Sequence, residues 1–433
     1  MKRALVCVLL VGTAAMAGAF DFGVVVSNTA GVDGSLGEDL AVSEALGASL
    51  WFNLPFTDDV FLAGQGSYAF TLERPVYVNP DYLEFSLTEP LAPEGAFTMS
   101  YGRLPFADST GYVYSDTADG ARFGLVTPFL NVNLFAAYTG LTFGASSSIL
   151  VSRRDLEHRL DPGRIFSPPR LVAGLSVGFP SIIEGQLLTI GSVAQFDLHD
   201  PANLVTEGQT VEVEGGGPVN TVYPSLSVAG SIAPGLFYDA FFVANFGSML
   251  TYRQGQYRNA SILGFLSGGG VEWFPGAEVQ PRVAASAVFA TGDPDSDSFL
   301  EGNSNEQATA FVPLTGASFG SIISPRLHNI FVGAVDLSIK PFAPIGTTVA
   351  ENVTVSLSNF VYVKPTGGAV SIQGLAADLG PAYLGFETNL GITARITSDL
   401  GLALRSGLFF PSAEAFGSTT PRYEAELDVV LSF

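Results

Sequence analysis

The closing stretch of the chain keeps a period of two. Tyr423, Ala425, Leu427, Val429, Leu431 and Phe433 occupy one phase, and Arg422, Glu424, Glu426, Asp428 and Ser432 occupy the other; only Val430 breaks the pattern. Successive side chains of a strand point to opposite faces, so this is a strand with one apolar and one polar side. The rhythm recurs upstream. Leu400, Leu402, Leu404, Leu408 and Phe410 share a phase opposite Arg405, and Ala382, Leu384, Phe386, Leu390, Ile392, Ala394 and Ile396 oppose Glu387, Asn389 and Arg395. Phe331, Gly333, Val335, Leu337 and Ile339 alternate with Asp336, Ser338 and Lys340, and Leu236, Tyr238, Ala240, Phe242, Ala244 and Phe246 alternate with Asp239 and Asn245. Charges therefore fall on one side only. A basic side chain facing lipid at mid-membrane costs about 2–4 kcal/mol, so this segregation is what a membrane strand requires.

Hydropathy narrows the choice. Mean hydropathy is +0.35 and only 14% of residues are charged. Yet beyond the first twenty residues no apolar run reaches the length of a helical span. In hydrocarbon only helices and closed barrels satisfy every backbone hydrogen bond, so the apolar residues must be spread over strands. A β-sandwich would also alternate, but it would hide its apolar faces in a core. The expected fold is all-β, a single antiparallel transmembrane β-barrel. Strand-like segments begin near residues 20, 44, 60, 82, 96, 120, 129, 145, 170, 186, 222, 236, 260, 278, 328, 350, 382, 400 and 422. Barrels of this kind have even strand numbers; about sixteen strands are expected, within a range of ~14–18.

The N-terminus predicts export. Lys2 and Arg3 precede an apolar stretch from Ala4 to Met16, and Ala17-Gly18-Ala19 offers small residues for cleavage before Phe20. Residues 1–19 are thus expected to be a cleaved signal peptide and 20–433 the barrel. Cys7 is the only cysteine, so disulfides, thiolate metal sites and a thiol nucleophile are excluded from the remainder. Net charge is −22, which excludes nucleic acid as a partner.

A terminal Phe preceded by hydrophobic residues at every second position resembles the closing strand of bacterial outer-membrane β-barrels. The resemblance implies that Tyr423, Leu427, Val429, Leu431 and Phe433 form the signal read by the barrel-assembly machinery. It also implies a place in the outer membrane of a diderm bacterium after Sec export, with the lipid of that membrane as a partner. Short turns at Pro128, Pro180-Ser181 and Ser398-Asp399 would then face the periplasm. The connections Asn28–Ser43, Leu104–Gly120, Arg153–Pro169, His199–Val219 and Gly292–Pro325 would face outward. In general design the chain resembles the diffusion porins, whose walls set basic residues against acidic ones at a constriction. That resemblance makes Arg122, Arg282, Asp336, Lys340, Glu387, Arg395, Arg405, Glu424, Glu426 and Asp428 candidate lumen-lining residues. Rings of charge tune pore selectivity, although a structural ion-pair network would use the same residues.

Motifs for catalysis lack their context. Gly174-Leu175-Ser176-Val177-Gly178 lies within an alternating strand and Gly316-Ala317-Ser318-Phe319-Gly320 in a loop, whereas a nucleophile elbow needs a strand–turn–helix. His158, His199 and His328 fall in or beside connections, where solvated side chains are expected. Asp293, Asp295 and Asp297 resemble the start of a calcium loop, but Ser298 and Ser304 stand where an EF-hand needs Gly and Glu. Arg153, Arg154, Arg159, Arg164 and Arg170 make a basic stretch, read as a wet loop, a vestibule lining or a grip on anionic headgroups. The expectation is a passive channel for small polar solutes, with mild cation preference, no catalysis and no cofactor. Two alternatives stand beside it: a hydrophobe transporter of the long-chain fatty-acid type, and a surface adhesive barrel. Against the first, Phe20-Asp21-Phe22-Gly23-Val24 begins directly as a strand, without that family's N-terminal hatch.

Overall fold

The computed structural model describes residues 20–433 except 38–39, 72–76, 92–93, 145–146, 162, 181, 200–204, 211–216, 297, 301–304, 306 and 377–378. The expected signal peptide and Asp297 lie outside the described residues. The ring runs β1 (Asp21–Ser35), β2 (Ala41–Thr57), β3 (Val60–Thr71), β4 (Tyr77–Leu91), β5 (Gly95–Ala107) and β6 (Ser115–Val126). It continues through β7 (Asn131–Tyr138), β8 (Arg170–Phe179), β9 (Gln186–Asp197), β10 (Val219–Ala233), β11 (Leu236–Arg253), β12 (Gln256–Trp273) and β13 (Arg282–Ala290). Then come β14 (Gln307–Ala308), β15 (Ile330–Ile339), β16 (Val353–Lys364), β17 (Ala382–Arg395), β18 (Leu400–Pro411) and β19 (Arg422–Ser432). β14 is a two-residue piece of a long loop laid parallel to β12, while β13 pairs directly with β15. The remaining eighteen strands form one closed antiparallel ring, because β19 pairs with β1 from Ser432↔Val25 to Arg422↔Ser35. Closure leaves no unpaired edge in hydrocarbon. Phe433 seals the seam with backbone bonds of 3.0 and 2.8 Å to Val24.

The barrel therefore has eighteen strands, not the expected sixteen. The surplus segment near residue 145 is the one expected start with no strand. Ile149 and Val151, the apolar residues that suggest a strand there, are fully buried in a loop that folds into the lumen. Apolar side chains facing an internal core carry the same sequence signal as those facing lipid.

The longest connections share one rim of the ring, although that rim also carries the tight turn 254–255 and the opposite rim carries 340–352. One rim carries turns such as Asp58–Asp59, 127–130, 234–235 and 396–399; the other carries the segments 108–114, 139–169, 198–218, 291–329 and 365–381. Pro128, Pro180 and Ser398 share the short-turn rim, and the expected long connections share the other. Their bounds contract, because Asn28–Ser35 lies within β1 and Ser115–Gly120 within β6. Strands of up to 18 residues exceed the roughly 9–11 that cross the bilayer, so their polar ends continue into water.

The two faces differ as the alternation requires. On β11, Phe242 and Phe246 are each 46% exposed on the outer face, while Val243 and Asn245 are fully buried inside. β17 departs from this pattern. A bulge opposite Tyr362 and Val363 skips Leu384, so Ala382 and Leu384 turn inward and Tyr383 turns out. One inserted residue exchanges the faces of everything beyond it. Only from Phe386 onward does the strand follow the expected phase. The lumen is partly filled: Val113 and Tyr114, Ile149 and Val151, and Phe311, Leu314 and Leu327 come from three loops. They pack on wall residues including Leu104, Val172, Tyr223, Val243 and Leu266. This core contacts the wall from Leu104 on β5 round to Tyr362 on β16, Leu384 on β17 and Phe409 on β18, and is the frame for the loops.

Candidate functional site

Beside that apolar filling, the lumen keeps two polar passages, each interrupted by one arginine. On the β16–β19 wall, a cleft of about 550 Å³ lies between the loop residues 318–324 and the side chains Ser356, Ser358, Asn389, Glu424 and Glu426. At Arg405 it meets a second cleft of about 600 Å³ that descends to Arg395, Ser398 and Asp399 at the short-turn rim. Across the ring, clefts of about 650 and 610 Å³ meet at Arg122 and Asn133. Their walls are rich in hydroxyl and amide groups, including Ser86, Thr98, Ser100 and Thr189.

Both arginines are ion-paired. Register places Arg405 directly opposite Glu426, and Asp428 sits diagonally, so the guanidinium binds the two at 3.0 and 2.9 Å. Arg122 lies 3.8 Å from Glu84, a nearly buried carboxylate that also takes a close hydrogen bond from Tyr82. The exposed guanidiniums make these pairs weak in energy and strong in placement. Glu424 stands opposite Asp33 in the β1–β19 register, with Glu426 two residues on. This wall is therefore acidic overall. Val430, the residue that breaks the terminal alternation, lines the lower cleft.

The other sequence candidates divide. Arg395 bonds the Ser398 carbonyl at 2.7 Å and lines the lower cleft. Arg282 is ion-paired with Glu272, an acid outside the candidate set. Asp336 lies on β15 and Lys340 at its short-turn end, both half-buried on the inward phase. Glu387 does not line an open lumen. It is fully buried, and its carboxylate accepts backbone N–H bonds from Ile322 and Ile323 at 3.0 and 2.9 Å.

Several residues that organise the loops carry no signal in the sequence. Arg170, expected in a solvated basic stretch, opens β8 fully buried and binds Asp155 and Asp197 at 2.8 and 3.3 Å. Asp155 belongs to α1 (Arg153–Leu160), whose capping box with Ser152 is a readable start signal. The buried pair pins that helix to the wall. Arg326 donates to the carbonyls of Ser148, Leu150, Pro313 and Leu314, so it ties two loops together. Burial and the nearby Arg159 lower its pKa to about 10, which leaves it charged at neutral pH. His199 and His328 are buried, against the expectation of solvated loop side chains. His328 donates from Nδ1 to the Phe311 carbonyl at 3.0 Å, and burial pushes its pKa down to about 4. Burial and Asp295 push Asp293 up to about 6; its carboxylate accepts the Thr309 N–H at 3.0 Å. Among the described residues no group of three or more His, Cys, Asp or Glu is placed to hold a metal ion.

No family model and no curated protein matches the chain. Solved structures do. The OccK11 (OpdR) structure of Pseudomonas aeruginosa is similar with a TM-score of 0.56 at 11% identity over 96% of each chain. OccK5 (OpdH) of the same organism gives 0.56 at 11% identity, over 96% of this chain and 98% of that one. OccK2 (OpdF) in complex with glucuronate gives 0.57 at 13% identity, over 96% and 98%. The chain has the outer-membrane β-barrel channel fold, structurally like these Pseudomonas Occ/Opd channels, and at such identities the likeness concerns the fold.

Proposed function

We propose that the chain is a passive channel of the outer membrane for small polar solutes, with mild preference for cations. Residues 1–19 serve as its export signal and 20–433 as the barrel. Tyr423, Leu427, Val429, Leu431 and Phe433 belong to the closing strand that the assembly machinery would read. The observation that carries the reading is the two polar passages, each made of two clefts that meet at Arg122 or at Arg405, beside a lumen partly filled with apolar side chains. Hydroxyl, amide and charged groups on the walls offer hydrogen bonds to a hydrated solute, with Leu400, Leu402, Leu125 and Val132 as apolar lining between them.

The sign of selectivity follows from pairing. OccK2 was solved with glucuronate, an acid. Here the two arginines between the clefts already face carboxylates, and Asp33 and Glu424 add negative charge, so an anion gains little and a cation gains more. Single-channel conductance of the refolded chain across a salt gradient is the test. Steady current with a cation-biased reversal potential is expected, and Arg405→Ala should strengthen the bias. A silent bilayer from folded protein would overturn the open channel and favour the adhesive platform.

A further inference from the structure

We infer that Glu387 is a latch: its carboxylate holds the tip of the 291–329 loop against the barrel wall, and that tip is the movable boundary of the passage. The inference rests on the passive-channel reading. Glu387 on β17 accepts the N–H groups of Ile322 and Ile323, and the Ser321 hydroxyl lies 3.5 Å away. Tyr362 on β16 completes the hold: its hydroxyl accepts the Gly320 N–H at 3.2 Å and donates to the Ile323 carbonyl at 2.9 Å. A β-carbon on Gly320 would stand 2.3 Å from the Glu387 carboxylate, so only glycine permits this approach. The tip is thus a backbone nest for an oxyanion, occupied by a side chain of the wall.

Other described residues of the loop are fastened independently. Arg326 binds four carbonyls, and the Asn329 side-chain amide donates to the carbonyls of Thr366, Gly367 and Ala369 at 3.3, 2.8 and 3.1 Å. Phe311, Leu314 and Leu327 are sunk in the apolar filling. These anchors leave residues 318–324 as the span between them; Ser318, Phe319, Gly320, Ser321 and Ser324 form the loop side of the 550 Å³ cleft, while Ile323 reaches the apolar filling and Phe319 and Ile322 pack against it. The carboxylate and the two N–H groups do not themselves line the cleft, but Gly320, Ser321 and Asn389 beside them do, so water from it reaches them once they part. Separation therefore exchanges buried hydrogen bonds for hydrated ones and need not strand a charge in an apolar core. The device needs no bound effector.

The experiment compares wild-type protein with Glu387→Ala in planar bilayers, each shown to be folded by its heat-dependent gel mobility. The variant should have a higher mean conductance with opening and closing steps that the wild type lacks. Added acetate, which supplies a carboxylate to the vacated nest, should return it toward the quiet wild-type level; chloride at equal ionic strength should not. Ser321 Oγ and Asn389 Oδ1 are 3.3 Å apart, so Ser321→Cys with Asn389→Cys on the Glu387→Ala background should restore the low conductance when oxidised. Should the alanine variant fail to insert, Glu387→Gln keeps the side-chain volume and should show the same steps. A conducting wild type with unaltered conductance in a folded Glu387 variant overturns the latch. Folded wild type and variant that are both silent overturn the channel reading, and the latch falls with it.

Discussion

At the scale of the residue, the loops are held by ionisable groups whose charge state is set by burial. His328 is neutral at pH 7: an unfolded histidine titrates near 6.5, and this one is depressed to about 4. Below pH 6.5 protons bind the unfolded loop in preference. The packing is therefore at full strength above about pH 6.5 and weakens as pH falls toward about 4, by about 3 kcal/mol over the window. Asp293 works in the opposite sense, since its raised pKa stabilises the folded loop at low pH and that contribution is lost as pH rises through about 6. Comparing wild type with His328→Gln isolates the first effect. Amide hydrogen-exchange protection across residues 311–329, corrected for the intrinsic pH dependence of exchange, should fall in wild type between pH 6.5 and pH 4 by more than in the variant. Equal loss of protection in both would remove His328 from the account. None of this is legible in the sequence, because a lone histidine in a polar connection carries no mark of the Phe311 carbonyl and the apolar side chains that enclose it.

At the scale of the element, alternation is read correctly wherever a strand keeps one register, as on β11, β18 and β19. It is misread at β17, where Leu384 is skipped by the bulge. Gly385 permits that bulge, with φ of +157° and a notional β-carbon 2.6 Å from the Phe409 ring and the Phe410 carbonyl. Gly385→Ala should destabilise the barrel by about 1–3 kcal/mol, the usual cost of a side chain in such backbone. Gly401 on the next strand has open space around it, so Gly401→Ala should leave the urea midpoint nearly unchanged. Matching midpoints for the two would show that β17 tolerates a regular register. The surplus segment near residue 145 fails for a related reason: Ile149 and Val151 are apolar for a core, and sequence alternation does not say what lies outside the strand.

At the scale of the whole molecule, the acid excess is a field as well as a set of contacts. A net charge of −22 accumulates counter-cations near both mouths of the barrel. Screening shortens the reach of that field from about 10 Å at 0.1 M salt to about 3 Å at 1 M. Cation preference measured by reversal potential should decline toward zero over that range if it arises from mouths and loops. Preference that persists in 1 M salt would assign selectivity to short-range contacts at Arg405, Glu426 and Asp428. The loop filling also leaves the two polar passages as separate spaces, a partition that only the folded loops create.

The sequence by itself determined that this chain is a β-barrel with charges turned inward. Hydrocarbon tolerates neither an open sheet edge nor a basic residue on its face, and a period of two is the visible trace of both constraints. It likewise brought Arg405, Glu426 and Asp428 into one candidate set, since strands adjacent in the chain become neighbours in the ring. The strand number, the burial of Glu387 and Arg170, the bonding of Arg326 across two loops, and the division of the lumen were decided by tertiary structure. Each depends on where loops lie within the ring, and loop placement is fixed by hydrogen bonds between positions such as Arg326 and Ser148, or Ile322 and Glu387, that are far apart in the chain. Local pattern records which face a residue needs; it does not record what will come to cover that face.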